Sequence, residues 1–260
     1  MNEIETNLPL CQDSNDYLDS EEMNFKVAVV SCPVCDNAYT ARHRNNLSHC
    51  TSCNHIFQTD MQVTVSYDSD YAHQYDRVPH QAMSALRWNF IQSALNLPVG
   101  SKVLDIGYAN GAFLKHARSN GMSIYGIDLH TEDFGIPVVD FDTPIEYDLV
   151  TFFDSLEHFP DFSPLLKLRV SNVVVSLPLT PDFLLEDARA WRHFKPGEHL
   201  HYFSPASLDR FMRNLGFPVR LAHGHPEDEL RGKLIISGRQ YDNIYTAVYS
   251  RSRQAFRESA

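Results

Sequence analysis

"VLDIGYANGAFL", residues 103–114, reads as an apolar strand that ends in an acid, passes through a glycine turn and enters a helix. Gly107 and Gly111 let main chain turn tightly and approach a bulky ligand, and the helix that follows presents unpaired N–H groups in its first turn. A dinucleotide-binding turn reads GxGxxG. This one reads Gly107-Tyr-Ala109-Asn-Gly111, a GxAxG with Asp105 two positions upstream, and that spacing points away from a nicotinamide dinucleotide.

Outward from the turn, short β-rich runs alternate with helical patterns. Strands are predicted at 102–106, 123–127, 136–140, 148–153, 172–177, 218–223 and 233–238, with helices at 112–119, 162–168 and 204–215. That alternation specifies an α/β fold, a doubly wound, Rossmann-like seven-stranded sheet. Upstream, "PHQAMSALRWNFIQSALNL" predicts a helix with Met83, Leu86, Phe90 and Ala94 as its buried stripe. Before it, Tyr67, Tyr71 and Tyr75 would share one face if helical. "DNIYTAVYSRSRQAF", from 242 onward, reads as a final helix.

The whole chain has 260 residues, 43% hydrophobic and 12% aromatic, enough for one α/β core plus a small appendage. A net charge of −11 argues against a broad electrostatic grip on nucleic acid. No apolar run approaches the roughly 18 residues a membrane span needs, and the N-terminus lacks a basic-then-apolar leader pattern, so the expected location is cytoplasmic.

Four of the five cysteines form two CxxC pairs, Cys32/Cys35 and Cys50/Cys53, in "CPVCDNAYTARHRNNLSHCTSCNH". Four thiolates would close a tetrahedral shell with no open position, so the expectation is a small N-terminal ribbon around a structural zinc. A dithiol redox pair or an iron–sulfur cluster is the competing reading, disfavoured because there is no single CxxC opening a helix in a βαβ unit. His49 and His55 flank the second pair and could substitute as ligands, but read first as ordinary surface histidines. Cys11, in a polar acidic stretch, reads as an unpaired thiol in a tail.

The strand, acid and GxAxG turn resemble the first motif of class I S-adenosylmethionine-dependent methyltransferases, over residues from about 80 to 240. In "SIYGIDLH" a strand ends in Asp128, 21 residues after Gly107, where a carboxylate can accept from both ribose hydroxyls. The resemblance implies S-adenosylmethionine cradled by Asp105, Gly107, Ala109, Gly111 and Asp128, with Phe153 or Asp154 facing its adenine and methionine side. "TFFDSLEHFPD" and "WRHFKPGEHLHYFSPASLDRFMRNLGF" further resemble small-molecule and sugar methyltransferases, several of which carry an N-terminal zinc ribbon. The chain then divides into a disordered tail (1–25), a zinc ribbon (26–62), a methyltransferase domain (63–240) and a C-terminal helix (241–260).

Methyl transfer from a sulfonium is an in-line displacement, so the protein must align the acceptor and remove its proton. His158, His199 and His201 are the candidate bases, His158 first, with Glu157 able to orient it. Each is equally readable as a hydrogen-bonded loop histidine. Trp191 and His193 fall in an insertion, 179–203, long enough for a lid, whereas His223 and His225 read as surface residues. The expected acceptor is a small molecule or glycan. The alternatives are a zinc-ribbon RNA methyltransferase gripping phosphates through Arg42, His43 and Arg44, and a degenerate fold serving as a scaffold, which Ala109 and the bulky Tyr108 motivate.

Overall fold

A computed structural model describes residues 30–38, 40–66, 79–129 and 133–251. The acidic tail with Cys11, the three tyrosines 67, 71 and 75, and residues 252–260 lie outside it.

The "VLDI" run forms strand β4 (Lys102–Ile106), buried at every position but the first. It pairs in parallel with β5 (Ser123–Ile127) on one side and β6 (Glu146–Phe153) on the other. β6 pairs in parallel with β7 (Arg169–Pro178). These central strands are covered on both faces, which is why they read as continuous apolar runs rather than alternations. The sheet is completed by β12 (Ile244–Ser250) and β9 (Val219–Gly224), in the order β5-β4-β6-β7-β12-β9, and β12 runs antiparallel to both neighbours.

The described sheet has six strands, not seven. Residues 136–140 contribute one bridge, Val138 to Gly126. The expected strand at 233–238 shrinks to β10 (Leu234–Ile236), paired with β11 (Arg239–Tyr241) in a hairpin outside the main sheet. The expected C-terminal helix is β12 over residues 244–250. All seven of its residues are buried, and a strand buried on both faces shows no period-2 signal to distinguish it from a buried helix. The expected helix at 162–168 is a 3-10 turn, Ser163–Lys167.

Helix α1 (His80–Leu95) forms as expected but buries Met83, Ser84, Trp88 and Ile91 rather than the Met83-Leu86-Phe90-Ala94 stripe. The large Trp88 ring goes to the core, and Arg87 beside it reaches a buried carboxylate. Helix α2 (Ala112–Ser119) starts on Gly111. Helix α3 (Pro205–Asn214) is held by a Ser204/Ser207 capping box with proline in its first turn.

The ribbon strands β1 (Thr40–His43), β2 (Leu47–Cys50) and β3 (His55–Gln58) form an antiparallel meander. Its fourth strand is β8 (His201–Tyr202), from the far end of the 179–203 insertion, paired Ile56 to Tyr202 and Phe57 to His201. Cys32, Cys50 and Phe57 share a hydrophobic cluster with β6 and β7. Trp191, 2% exposed, packs with Leu47, Ile56 and Tyr202, so the insertion lies against the ribbon.

Because β12 is enclosed on both faces, adjacent positions should be equally intolerant. Ala247→Asp and Val248→Asp should each cost more than about 3 kcal/mol, since both bury an unpaired charge. Urea unfolding checks this, and a mild effect at either position would mean that one face is open.

Candidate active site

Three residues of the turn, Gly107, Ala109 and Gly111, have left-handed φ angles of 80°, 49° and 70°. Gly107 is required sterically as well, because a Cβ there would stand 2.6 Å from Ser155 Cβ. Ala109 takes the same conformation at a strain of roughly 1–2 kcal/mol, and its N–H donates to Asp128 Oδ2 at 2.8 Å. Thus β4 and β5 deliver the turn and its carboxylate already bonded together. Tyr108 turns inward, 5% exposed, with its ring over Gly126 where a Cβ would meet it at 2.4 Å. Its bulk therefore fills core beside Ile136 and leaves the turn's outer surface clear. Leu129, directly after Asp128, is 79% exposed, an apolar side chain at the rim that the sequence reading passed over.

Asp105 is buried at the end of β4 and accepts from Thr151 Oγ1 at 2.7 Å. Burial pushes its carboxyl up to about 7.

At the end of β6, Phe153 packs edge-on to Phe113 at 4.7 Å, with the Arg87 guanidinium 4.1 Å above its ring. Asp154 is clamped by Arg87 and Arg231. Glu227, fully buried, accepts from Arg87 Nε at 2.7 Å and from Ser176 Oγ at 2.6 Å, and lies 3.0 Å from Arg231 Nε. Two guanidiniums and two carboxylates balance one another. Burial alone would raise Asp154, but Arg231 and Arg87 hold it well below the usual carboxylate range. Phe153 and Asp154, expected to face a ligand, are thus engaged within the protein. Arg87, Glu227 and Arg231 escaped the sequence reading because α1 and the acidic turn before helix α4 (Asp228–Arg231) are 140 residues apart.

After Asp154 the chain makes a 3-10 turn, Leu156–His158. The His158 and His199 rings stand 4.8 Å apart, and His193 stacks on His199 at 6.4 Å. His193 Nε2 lies 2.8 Å from Asn243 Oδ1 and accepts from Arg192 Nε–H at 3.2 Å. Burial pushes His158 and His193 down to about 4 and His199 well below its usual value, so these imidazoles are neutral near pH 7. Ligand atoms of Glu157, His158 and His199 all lie within 4.8 Å of one another. Glu157 is 2% exposed, and neither of its carboxylate oxygens has a hydrogen-bond partner among the described residues.

His201, also a candidate base, is hydrogen-bonded through both ring nitrogens. Its Nε2–H donates to Phe159 O at 2.9 Å and its Nδ1 accepts from His55 Nε2 at 3.0 Å, so both nitrogens are already used. His55 is likewise no surface histidine: it is completely buried. His225, half-buried, donates through Nδ1–H to Ile244 O at 2.8 Å.

In the ribbon, Cys32 and Cys53 Sγ are 3.6 Å apart, as are Cys35 and Cys50, and all four sulfurs lie within 4.8 Å of one another. A tetrahedron of four ~2.3 Å metal–sulfur bonds has edges of about 3.8 Å, so the set fits a metal ion with no position left over. Both knuckles close alike: Asp36 N–H to Cys32 O at 2.9 Å and Asn54 N–H to Cys50 O at 2.8 Å, with Asp36 and Asn54 left-handed. Burial pushes the Cys32 thiol up to about 12, and a cation is what would hold four thiolates there.

Residues 71–222 match a family described as a methyltransferase domain. Among curated relatives, ubiquinone biosynthesis O-methyltransferase of Proteus mirabilis (strain HI4320) is 31% identical over 108 residues, 34% of this chain and 44% of that protein. Its counterpart from Leptothrix cholodnii is 28% identical over 183 residues, 56% of this chain and 76% of that protein. The chain spans about half the length of the first curated relatives it matches. Among solved structures, a SAM-dependent methyltransferase from Archaeoglobus fulgidus has a TM-score of 0.49 at 17% identity, covering 70% of this chain and 100% of that one. Geranyl diphosphate C-methyltransferase from Streptomyces coelicolor A3(2) has a TM-score of 0.49 at 16% identity, covering 73% and 87%. Among the described residues, no helix is long and apolar enough to cross a membrane.

Asp105 gives this site a pH signature. Its folded pKa of about 7 lies above the ordinary value of 3.8, so the folded state holds the proton more tightly and loses stability as pH rises from 4 to 7. Asp105→Asn removes that loss. Relative to wild type, the variant should gain roughly 2–4 kcal/mol between pH 4 and pH 8, at about 1.4 kcal/mol per pH unit. Denaturant unfolding at the two pH values checks this, and a constant difference would mean that Asp105 is ionised throughout.

Proposed function

Since the chain belongs to the methyltransferase-domain family, we propose that it moves a methyl group from S-adenosylmethionine to a hydroxyl of a small-molecule acceptor such as a phenol or a sugar. The observation that carries this reading is the turn itself, left-handed at three alternate positions and bonded through Ala109 N–H to the Asp128 carboxylate at the carboxyl edge of parallel strands. In open α/β sheets that edge is where ligands bind.

S-adenosylmethionine supplies an electrophilic methyl group, transferred by in-line displacement. Gly107, Ala109 and Gly111 offer main chain to its amino-acid portion, Asp128 accepts from ribose hydroxyls, and Leu129 gives the adenine an apolar neighbour. His158, neutral and 13% exposed in its side chain, is the group that takes the acceptor's proton. Glu157 Oε1 stands 3.9 Å from its Nε2, and burial holds the Glu157 carboxyl well above the usual carboxylate range, so it takes up charge only as the imidazolium forms beside it. The O-methyltransferase relatives support a hydroxyl acceptor, and the chain's net charge of −11 supports a small molecule over RNA. The ribbon's four cysteines would hold a structural zinc.

A second reading is favoured by the buried Glu157 carboxyl, whose oxygens have no hydrogen-bond partner among the described residues: a divalent cation between Glu157, His158 and His199, polarising the acceptor oxygen in place of a histidine base. The two separate on metal stoichiometry, because a cation-dependent enzyme needs a second metal equivalent for turnover, beyond the one the four cysteines would hold, while a histidine base does not.

Calorimetric titration with S-adenosylhomocysteine tests the cofactor half. Binding is expected in the micromolar range, weakened at least tenfold, about 1.4 kcal/mol, by Asp128→Ala; no binding to folded wild type would remove the reading. With an acceptor in hand, His158→Ala should lower turnover by roughly 10²-fold while homocysteine-adduct binding stays within about twofold. Retained turnover would move the role to His199. Metal analysis of the purified chain should return one zinc per molecule, and a folded metal-free protein would contradict the ribbon assignment.

A further inference from the structure

Two hydrogen-bonded relays leave ribbon strand β3 and end on the backbone at either side of His158. In the first, Gln58 N–H donates to Leu200 O at 2.8 Å, and Leu200 N–H donates to Glu157 O at 2.8 Å. In the second, His55 Nε2–H donates to His201 Nδ1 at 3.0 Å, and His201 Nε2–H donates to Phe159 O at 2.9 Å. The direction of the second follows from its terminus: a carbonyl only accepts, so His201 carries its proton on Nε2, and His55 must be the donor to Nδ1. Gln58, Leu200, His55 and His201 are all at most 2% exposed, so water cannot replace a lost partner. A further bond, Thr64 N–H to Gly197 O at 2.9 Å, ties the chain leaving the ribbon to the start of the same segment.

We infer that the ribbon is the positioning frame of His158: β3, through Leu200 and His201, fixes the carbonyls of Glu157 and Phe159 and thereby the turn that presents the His158 ring to His199. His55 is a positioning residue in this scheme, not a catalytic one. The inference rests on His158 facing the acceptor. It gives the four cysteines a role in the reaction at a distance, because the ion they would hold fixes the knuckle, Cys50–Cys53, from which β3 departs. The cofactor turn at 107–111 hangs on β4 and β5 and shares neither relay.

The test is hydrogen–deuterium exchange on the full, zinc-loaded chain, followed in peptides covering 103–114, 154–160 and 197–203, with S-adenosylhomocysteine affinity measured in parallel. His55→Leu removes the donor and keeps the bulk; His55→Gln restores an N–H close to the position of Nε2. Exchange in 154–160 and 197–203 should rise at least tenfold in His55→Leu and stay within twofold of wild type in His55→Gln. The 103–114 peptide and the homocysteine-adduct affinity should stay within twofold in both. If His55→Leu does not fold, chelator-stripped wild type makes the same comparison, with the same two peptides expected to loosen. Unchanged exchange in those peptides, equal loosening of 103–114, or failure of His55→Gln to restore protection would each overturn the inference. Wild type that exchanges as expected but does not bind S-adenosylhomocysteine would overturn the proposed cofactor instead.

Discussion

A carboxylate with no exposure to water survives in a folded protein only if charge meets it, and Glu227 is met by two guanidiniums and a serine hydroxyl. That requirement joins elements distant in sequence. Arg87 comes from α1, Arg231 from α4, Ser176 from β7, and Asp154, the second acid of the cluster, directly follows β6. Removing one member would leave an uncompensated charge indoors, so all must arrive together. The cluster therefore fixes where β6 ends and where the following turn, with Glu157 and His158, begins.

Beside this balanced group lies an unbalanced one. Glu157 has no hydrogen-bond donor among the described residues, while His158, His193 and His199 are kept neutral by burial. Nothing in the fold needs that arrangement for stability, because a buried polar group without a partner costs free energy. A bound proton or cation at Glu157 would offset that cost, which is why the proposed chemistry is placed there. The contrast is between Asp154, locked by arginines, and Glu157, three residues on, whose oxygens have no hydrogen-bond partner among the described residues.

How much of this the sequence disclosed depended on how local the signal was. Strand 102–106, helix 112–119 and strand 123–127 have the same bounds in the structure, because each is announced by an apolar run and punctuated by glycine or a polar residue. The cysteine pairs were legible because metal-ligand spacing is a local pattern, and the sulfurs do converge. Strand β12 was not, since "IYTAVYS" buried on both faces has no periodicity of its own. Nor were the roles of His55, His201 and Glu227. Each is defined by a partner at least 51 residues away, and no spacing rule reaches that far. Among four histidines of similar local context, only the pairings told the donor in a relay from the ring beside the candidate site.

The strand order carries a consequence for how the molecule is made. β12 lies between β7 and β9, and among the described residues β9 has no other partner in the sheet. A growing chain that has reached residue 240 therefore displays two strand edges facing an empty lane, both open to pairing with another chain. Synthesis has to run on to residue 250 before the lane is filled. A polypeptide stopped before residue 244 would lose one strand in sequence and two from the sheet, and its exposed edge would seek the missing strand in its neighbours.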